Sequence, residues 1–207
     1  MKYGLCCISL NLQDVGHKYQ TMTRKKFLSL TRDDALKIIG DKTLNNVNTL
    51  YHTINYCIKN NWNLRISSDL IPLITLPQAN FKLSDLPNYN NIMSVINDCK
   101  QLINTSGLRC STHPDQFVVL ASDKPEVVNK SILELNNHAI LMDLLGLPQN
   151  YNAPINIHIN TFKNGNISDI AKRFIAVYKS LQPNVLQRLV VENEDKPNSW
   201  KIGRAHV

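Results

Sequence analysis

The chain switches between two rhythms of apolar and polar positions. Short apolar runs occupy residues 3–10, 63–67, 108–112, 155–159 and 188–192, each with the length and composition of a β-strand. Longer stretches with helical spacing separate them. Residues 32–60 carry Leu36, Ile39, Leu44, Val47, Leu50, Ile54 and Ile58 on one broken stripe, with Thr31 or Asp33 as cap. A second helix is expected from Asn91 to Ser106, stopped by Gly107. A third runs from Pro125 to Leu145, with Ser122 or Asp123 as cap, Pro125 in the first turn and Gly146 as the stop. Ser168 is expected to cap a fourth that ends near Leu181, before Pro183. Strands that alternate with helices demand a parallel sheet with helical crossovers.

Five such units fit either an open doubly wound sheet or most of a barrel. No GxGxxG follows the first strand and no GxxxxGK[ST] occurs, so a nucleotide-binding sheet loses its best support. Polar residues at the strand ends favour the barrel. The expected fold is therefore α/β, a TIM-type (β/α) barrel that is incomplete, with about five βα units. The segment from Ser67 to Pro87 is long and holds three prolines (Pro72, Pro77, Pro87). It follows a strand, so it belongs to the active face as a functional loop or a lid.

The chemistry sits at three strand ends. Arg109-Cys-Ser-Thr-His113, Ile155-Asn-Ile-His158 and Leu189-Val-Val-Glu192 each stop at a residue type that ligates metals. Pro114 disfavours a helical conformation at His113 and keeps its imidazole at the strand tip. Alternation aims Asn156 and His158 to one side. Glu192 opens the acidic burst Glu192-Asn-Glu-Asp195, and a carboxylate at the end of an apolar strand is costly unless it meets a cation. Any one of these could be satisfied by a neighbour. Three at corresponding positions point to a shared divalent-metal site formed by His113, His158 and Glu192, with Glu192 as the catalytic carboxylate.

Composition narrows the setting. With 207 residues, 43% hydrophobic and 19% charged, the chain can bury a core of its own. No apolar run approaches the ~18 residues of a membrane span, and the N-terminus lacks a long apolar segment followed by a small-residue cleavage site. Five cysteines (Cys6, Cys7, Cys57, Cys99, Cys110) lack CxxC spacing and read as small buried thiols of a reducing, intracellular compartment. The expected location is the cytoplasm or the nucleoid. A net charge of +7 favours a polyanionic partner such as nucleic acid, or simply reflects solvated lysines.

At these residues the chain resembles the UV damage endonuclease family, DNA-repair enzymes with a TIM-type barrel and a multi-metal site related in architecture to endonuclease IV. The resemblance runs along most of residues 1–200. It is carried by Arg65-Ile-Ser-Ser-Asp-Leu-Ile-Pro72, His113-Pro-Asp-Gln-Phe117, Ile155-Asn-Ile-His158, Leu189-Val-Val-Glu-Asn-Glu-Asp-Lys196 and the helix from Lys130 to Gly146. It implies that His113, His158 and Glu192 ligate divalent metals, Mn²⁺ above all, with Zn²⁺ or Mg²⁺ as the alternatives. It implies that Gln116 and Phe117 probe the lesion in double-stranded DNA, one by hydrogen bonding and the other by stacking. It implies hydrolysis of the phosphodiester on the 5′ side of a UV photoproduct. Lys163 could contact phosphate.

Two departures stand out. Where the family has a metal-binding His after Ile-Pro, this chain has Leu76. Where the family has Gly-Gly-x-Tyr-Gly after the fourth strand, this chain has Asn160-Thr-Phe-Lys-Asn-Gly165. The family also supplies ligands from strands six to eight, beyond the five read here. Ile202-Gly-Arg-Ala-His-Val207 can be encoded by ATC GGA AGA GCA CAC GTC, which resembles a widely used sequencing adaptor. The expectation is an endonuclease domain over 1–200 and a non-native tail over 201–207. Two other functions stay open at this stage: a metal-dependent sugar isomerase or epimerase barrel, and a non-catalytic fragment. The oligomeric state is not readable.

Overall fold

The structure, a computed structural model, describes residues 3–159 and 166–192. Lys163 and the tail at 201–207 lie outside the described residues. The elements in chain order are β1 (Gly4–Cys6), α1 (Leu10–Asp14), α2 (Arg24–Leu28), α3 (Arg32–Asn60), β2 (Asn63–Ile66), α4 (Tyr89–Ser106), β3 (Cys110–Thr112), α5 (Pro125–Leu144), β4 (Ile155–His158), α6 (Ile167–Ser180), α7 (Pro183–Leu186) and β5 (Leu189–Glu192).

Local chemistry explains the long helices. The Thr31 hydroxyl accepts from the Asp34 N–H at the start of α3, and Asp33 and Asp34 sit where the helix dipole favours negative charge. Asn61, in the left-handed region at φ 55°, ends the helix. The stripe that looks broken in sequence is continuous in space, because Thr43 and Asn46 are buried between Ile39 and Val47. Asn46 accepts from the Gln20 N–H (2.7 Å) and donates to the carbonyls of Gln20, Asp69 and Leu70. Gly40 lets α4 approach closely, since a Cβ there would displace the Asn88 side-chain amide at the start of α4.

All five strands are parallel and lie in the order β1-β2-β3-β4-β5. That order never reverses. Right-handed crossovers then place every intervening helix on the same face, as in a barrel and unlike a doubly wound sheet. Burial confirms it. Leu64, Ile66, Cys110, Thr112, Ile155 and Ile157 are buried against the helices. Their alternating neighbours Asn63, Arg65, Ser111, Asn156 and His158 are half-buried on the other face. The main core lies between the sheet and α3, α4 and α5.

The segment after β2 is anchored. Leu70, Ala79, Phe81 and Leu86 are buried, Asn46 holds its start, and Arg32 donates to the carbonyls of Ala79 and Asn80. Its position is the one expected: the Ser68 hydroxyl donates to the His113 carbonyl (3.0 Å), which ties it to the end of β3.

Several local expectations need correction. The first strand covers only Gly4–Cys6 of the apolar run at 3–10, because Cys7 adopts φ 62° and Ser9 starts a helix. Lys124, not Ser122 or Asp123, is the N-cap of α5; the Ser122 hydroxyl accepts from the Lys124 N–H instead. Asn166, not Ser168, caps α6, its side chain accepting from the Ser168 N–H. Trp62, whose place just before the second strand makes it a core candidate, is half-buried at the core margin, with its ring edge-on to Tyr56. The cysteines divide: Cys57, Cys99 and Cys110 are buried, Cys7 is half-buried and Cys6 is exposed. Burial pushes the thiol of Cys57 up to about 11 and those of Cys99 and Cys110 to about 12. A thiol reagent at pH 8 should therefore modify Cys6 quickly and spare Cys57, Cys99 and Cys110 until the protein is unfolded. Fast labelling of more than two thiols in the folded protein would contradict this packing.

The approach to β5 is fixed by Arg188, whose side chain is fully buried. It donates to the carboxylate of Asp143 (2.7 Å) and to the carbonyls of Leu147 (2.6 Å) and Pro148 (3.0 Å). Burial pushes the Asp143 carboxyl up, but hydrogen bonds from Asn184, Arg188 and Gln149 more than offset this and hold it below its usual range. The Arg188 carbonyl accepts from the Ile155 N–H (2.8 Å), so this buried network sets the register of β5 on β4.

Candidate metal centre

Three strands deliver three donors to one place. Thr112 pairs with Ile155, and His158 pairs with Glu192 across β4 and β5. His113 lies one residue beyond β3, so period-two alternation sends it to the face that carries His158 and Glu192. One ligand atom from each of His113, His158 and Glu192 lies within 4.8 Å of the other two. His113 Nε2 is 3.7 Å from Glu192 Oε2, and the two imidazole rings are 4.8 Å apart at 57°.

This arrangement suits a cation better than a direct pairing. A distance of 3.7 Å is too long for a hydrogen bond. Donors about 2.1 Å from a shared divalent ion sit roughly 3.0–3.5 Å apart, so a small contraction would complete the set. His113 is prepared for that role. Its Nδ1 lies 3.0 Å from the Pro114 carbonyl, which can only accept; in the neutral imidazole this contact puts the hydrogen on Nδ1 and leaves Nε2 free to ligate. His113 is mostly enclosed, whereas the Glu192 side chain is 43% exposed. A cation held there would keep positions open to a substrate, as catalytic sites do and structural sites do not.

Arg65 is the residue whose place the sequence reading missed. In sequence it is a lone base that could contact phosphate or simply face solvent. Its strand register puts it beside Ser111, on the face that carries His113, His158 and Glu192. Its Nε is buried without a hydrogen-bond partner among the described residues. The guanidinium is held more basic than usual, first by a hydrogen bond with Cys7 and also by the charge of Glu192. The alternation of Asn63-Leu-Arg-Ile66 was the available signal, but it gains meaning only once the neighbouring strand is known.

Gln116 and Phe117 stand in the β3–α5 connection, three and four residues beyond His113, and both are exposed. Phe117 is 68% exposed, which removes core packing as its role. With Asp115 and Lys130 it borders a hollow of about 180 Å³. Asp69 and Asp115 line an adjoining groove beside Arg24 and Lys130. Leu76 holds no place in the cluster; it packs against the hydrophobic core. Among the described residues, no helix is long and apolar enough to cross a membrane.

A singly wound parallel sheet with a His/His/Glu set at the carboxyl ends of adjacent strands defines a barrel-type protein with a candidate metal centre. The chain belongs to the UV-endonuclease UvdE family, which it matches over residues 1–203. It is 34% identical over 193 residues to a UV DNA damage endonuclease of Nostoc sp., covering 93% of this chain and 56% of the relative. It is 29% identical over 199 residues to one of Bacillus cereus, covering 95% of this chain and 59% of the relative. The crystal structure of SacUVDE superposes with a TM-score of 0.78 at 30% identity, over 95% of this chain and 62% of that one. The chain thus spans less than two thirds of the length of these relatives.

Proposed function

We propose that this chain is a metal-dependent DNA-repair endonuclease that hydrolyses the phosphodiester on the 5′ side of UV photoproducts in double-stranded DNA. The observation that carries this reading is the convergence of His113, His158 and Glu192 on one cation-sized space, in a chain of the UvdE family. A divalent ion there, Mn²⁺ by preference and Zn²⁺ or Mg²⁺ otherwise, supplies Lewis-acid stabilisation of charge on the phosphodiester. The chain's own residues do the rest. Glu192 and the two imidazoles fix where the ion sits. Arg65, on the same face, offers a cation to an approaching phosphate. Phe117 presents a ring on which an unstacked base can rest, and Gln116 presents an amide for the exposed base edge. Lys163, outside the described residues, is proposed to contact the DNA backbone. The net charge of +7 makes binding fall steeply with salt. The proposed location is intracellular, in the cytoplasm with the DNA.

End-labelled duplex, irradiated or not, tests this reading with the full chain. Nicks should appear only in irradiated duplex, on the 5′ side of photoproducts. They should vanish with EDTA and return with Mn²⁺. A second reading, a non-catalytic DNA-binding fragment, draws on Leu76, a non-ligand that packs against the core instead of joining His113, His158 and Glu192. Binding of irradiated duplex with no nicking at saturating Mn²⁺ would establish that second reading in place of the first.

A further inference from the structure

Two thiols stand next to each other where β1 ends, and the proposed nuclease chemistry uses neither. Cys6 closes β1 and Cys7 follows it. Consecutive side chains on a strand point to opposite faces and stay apart. Here the chain leaves the strand at once. Cys7 has φ 62°, and the Ile8 N–H donates across it to the Cys6 carbonyl (2.7 Å). This is a γ-turn centred on a non-glycine residue in the left-handed region, a strained conformation that persists only where its surroundings hold it. They do: the Cys7 N–H donates to the Arg65 carbonyl (2.9 Å), and the Cys7 thiol lies 4.0 Å from the Ile66 carbonyl. The turn leaves the Cys7 thiol in interaction with the side chains of Arg65 and Cys6.

The two sulfurs differ in access. Cys6 is exposed and Cys7 is half-buried. Burial pushes the Cys7 thiol up, so it stays protonated at neutral pH. Cys6 is therefore the sulfur that a reagent reaches, and Cys7 is the one held ready beside it. The strand register also sets Cys6 next to Arg65, a cation of the kind found beside reactive cysteines. Cys57, Cys99 and Cys110 are buried and do not compete.

We propose that Cys6 and Cys7 form a reversible redox site, which hydrogen peroxide closes to a disulfide between neighbours. The Cys6 sulfur attacks the peroxide; an S–O bond forms, the O–O bond breaks and water leaves. The Cys7 sulfur then attacks the resulting sulfenic sulfur; the S–S bond forms, the S–O bond breaks and a second water leaves. The two thiols together lose two electrons and two protons, and one peroxide becomes two waters. Neighbouring Cα atoms are only about 3.8 Å apart, below the roughly 4.4–6.8 Å usual for a disulfide. Such a bond is strained and easily reduced, which makes it a switch and not a staple. Closure takes the Cys7 thiol away from Arg65, a cation on the face that carries His113, His158 and Glu192.

The test uses the full chain, reduced and freed of metal with EDTA. It is treated with equimolar hydrogen peroxide at neutral pH, alkylated in denaturant and digested with trypsin. One peptide, residues 3–18, holds both sulfurs. It should become two hydrogens lighter and lose both alkylation sites, while Cys57, Cys99 and Cys110 are alkylated in full. Millimolar glutathione should restore it. In Cys7→Ser the same peptide should lose no hydrogen and should yield a dimedone adduct at Cys6. An unchanged native peptide, added oxygen without loss of hydrogen, a disulfide to a second chain through Cys6, or a bond that survives glutathione each overturns the proposal. Should Cys7→Ser fail to fold, the mass of the native peptide decides alone.

Discussion

Replacing Glu192 with glutamine should weaken Mn²⁺ binding by more than about 100-fold and abolish nicking of irradiated duplex. Loss of a group that merely orients a metal ligand lowers affinity by about 10–100-fold, so loss of a charged ligand must exceed that. Glutamine keeps the shape of the side chain but removes the charge that draws a divalent ion to two neutral imidazoles. The fold should survive, because Glu192 is the last residue of β5 and its side chain is 43% exposed. His158→Ala should act in the same direction. Phe117→Ala should not. Its ring is exposed and outside the metal cluster, so Mn²⁺ affinity should hold while preference for irradiated over intact duplex falls, by the roughly 1–3 kcal/mol that base stacking contributes. Titration calorimetry with Mn²⁺ and a nicking assay separate the two effects. Unchanged Mn²⁺ affinity in both Glu192→Gln and His158→Ala would mean that the three donors do not share an ion.

Replacing Arg188 with methionine should destabilise the protein by about 3 kcal/mol, because a fully buried donor is lost to two carbonyls and to the partly exposed Asp143 carboxylate. Methionine fills much of the volume but donates nothing. The Leu147 and Pro148 carbonyls and the Asp143 carboxylate would each lose a donor. Denaturant unfolding measures the change. Adding Asp143→Leu should recover part of the loss, since the pair is then apolar on both sides and Asp143 no longer lacks its countercharge. The local consequence is a weaker hold on β5, because the Arg188 main chain bonds to the first residue of β4. A loss below about 1 kcal/mol would show that Arg188 is not the anchor of that strand.

Much of the fold was legible along the chain. The helix at 32–60 and its Thr31 cap, the stop at Gly107, Pro125 in the first turn of α5 and all five strands follow from periodicity and end chemistry, which act over a few residues. The errors in caps at Lys124 and Asn166 have the same origin. Each segment offered two or three polar side chains within one turn, and which one caps depends on where the preceding loop delivers the chain. The candidate metal site was legible for a different reason: His113, His158 and Glu192 each end an apolar run, and parallel strands bring like ends together.

What the amino-acid order determined by itself is the set of elements and the chemical character of their ends, because helix periodicity, strand alternation and turn residues are local forces. Only the tertiary structure decided the strand order, which is unreversed and so puts the crossover helices α3, α4 and α5 on one face of the sheet. The same holds for Arg65 on the face of the candidate metal centre, Arg188 fully buried on carbonyls from another segment, and His138 beside an apolar pocket. In each case the partner that gives the residue its meaning lies about 40 or more positions away or across a strand, and no short window of sequence contains that pairing.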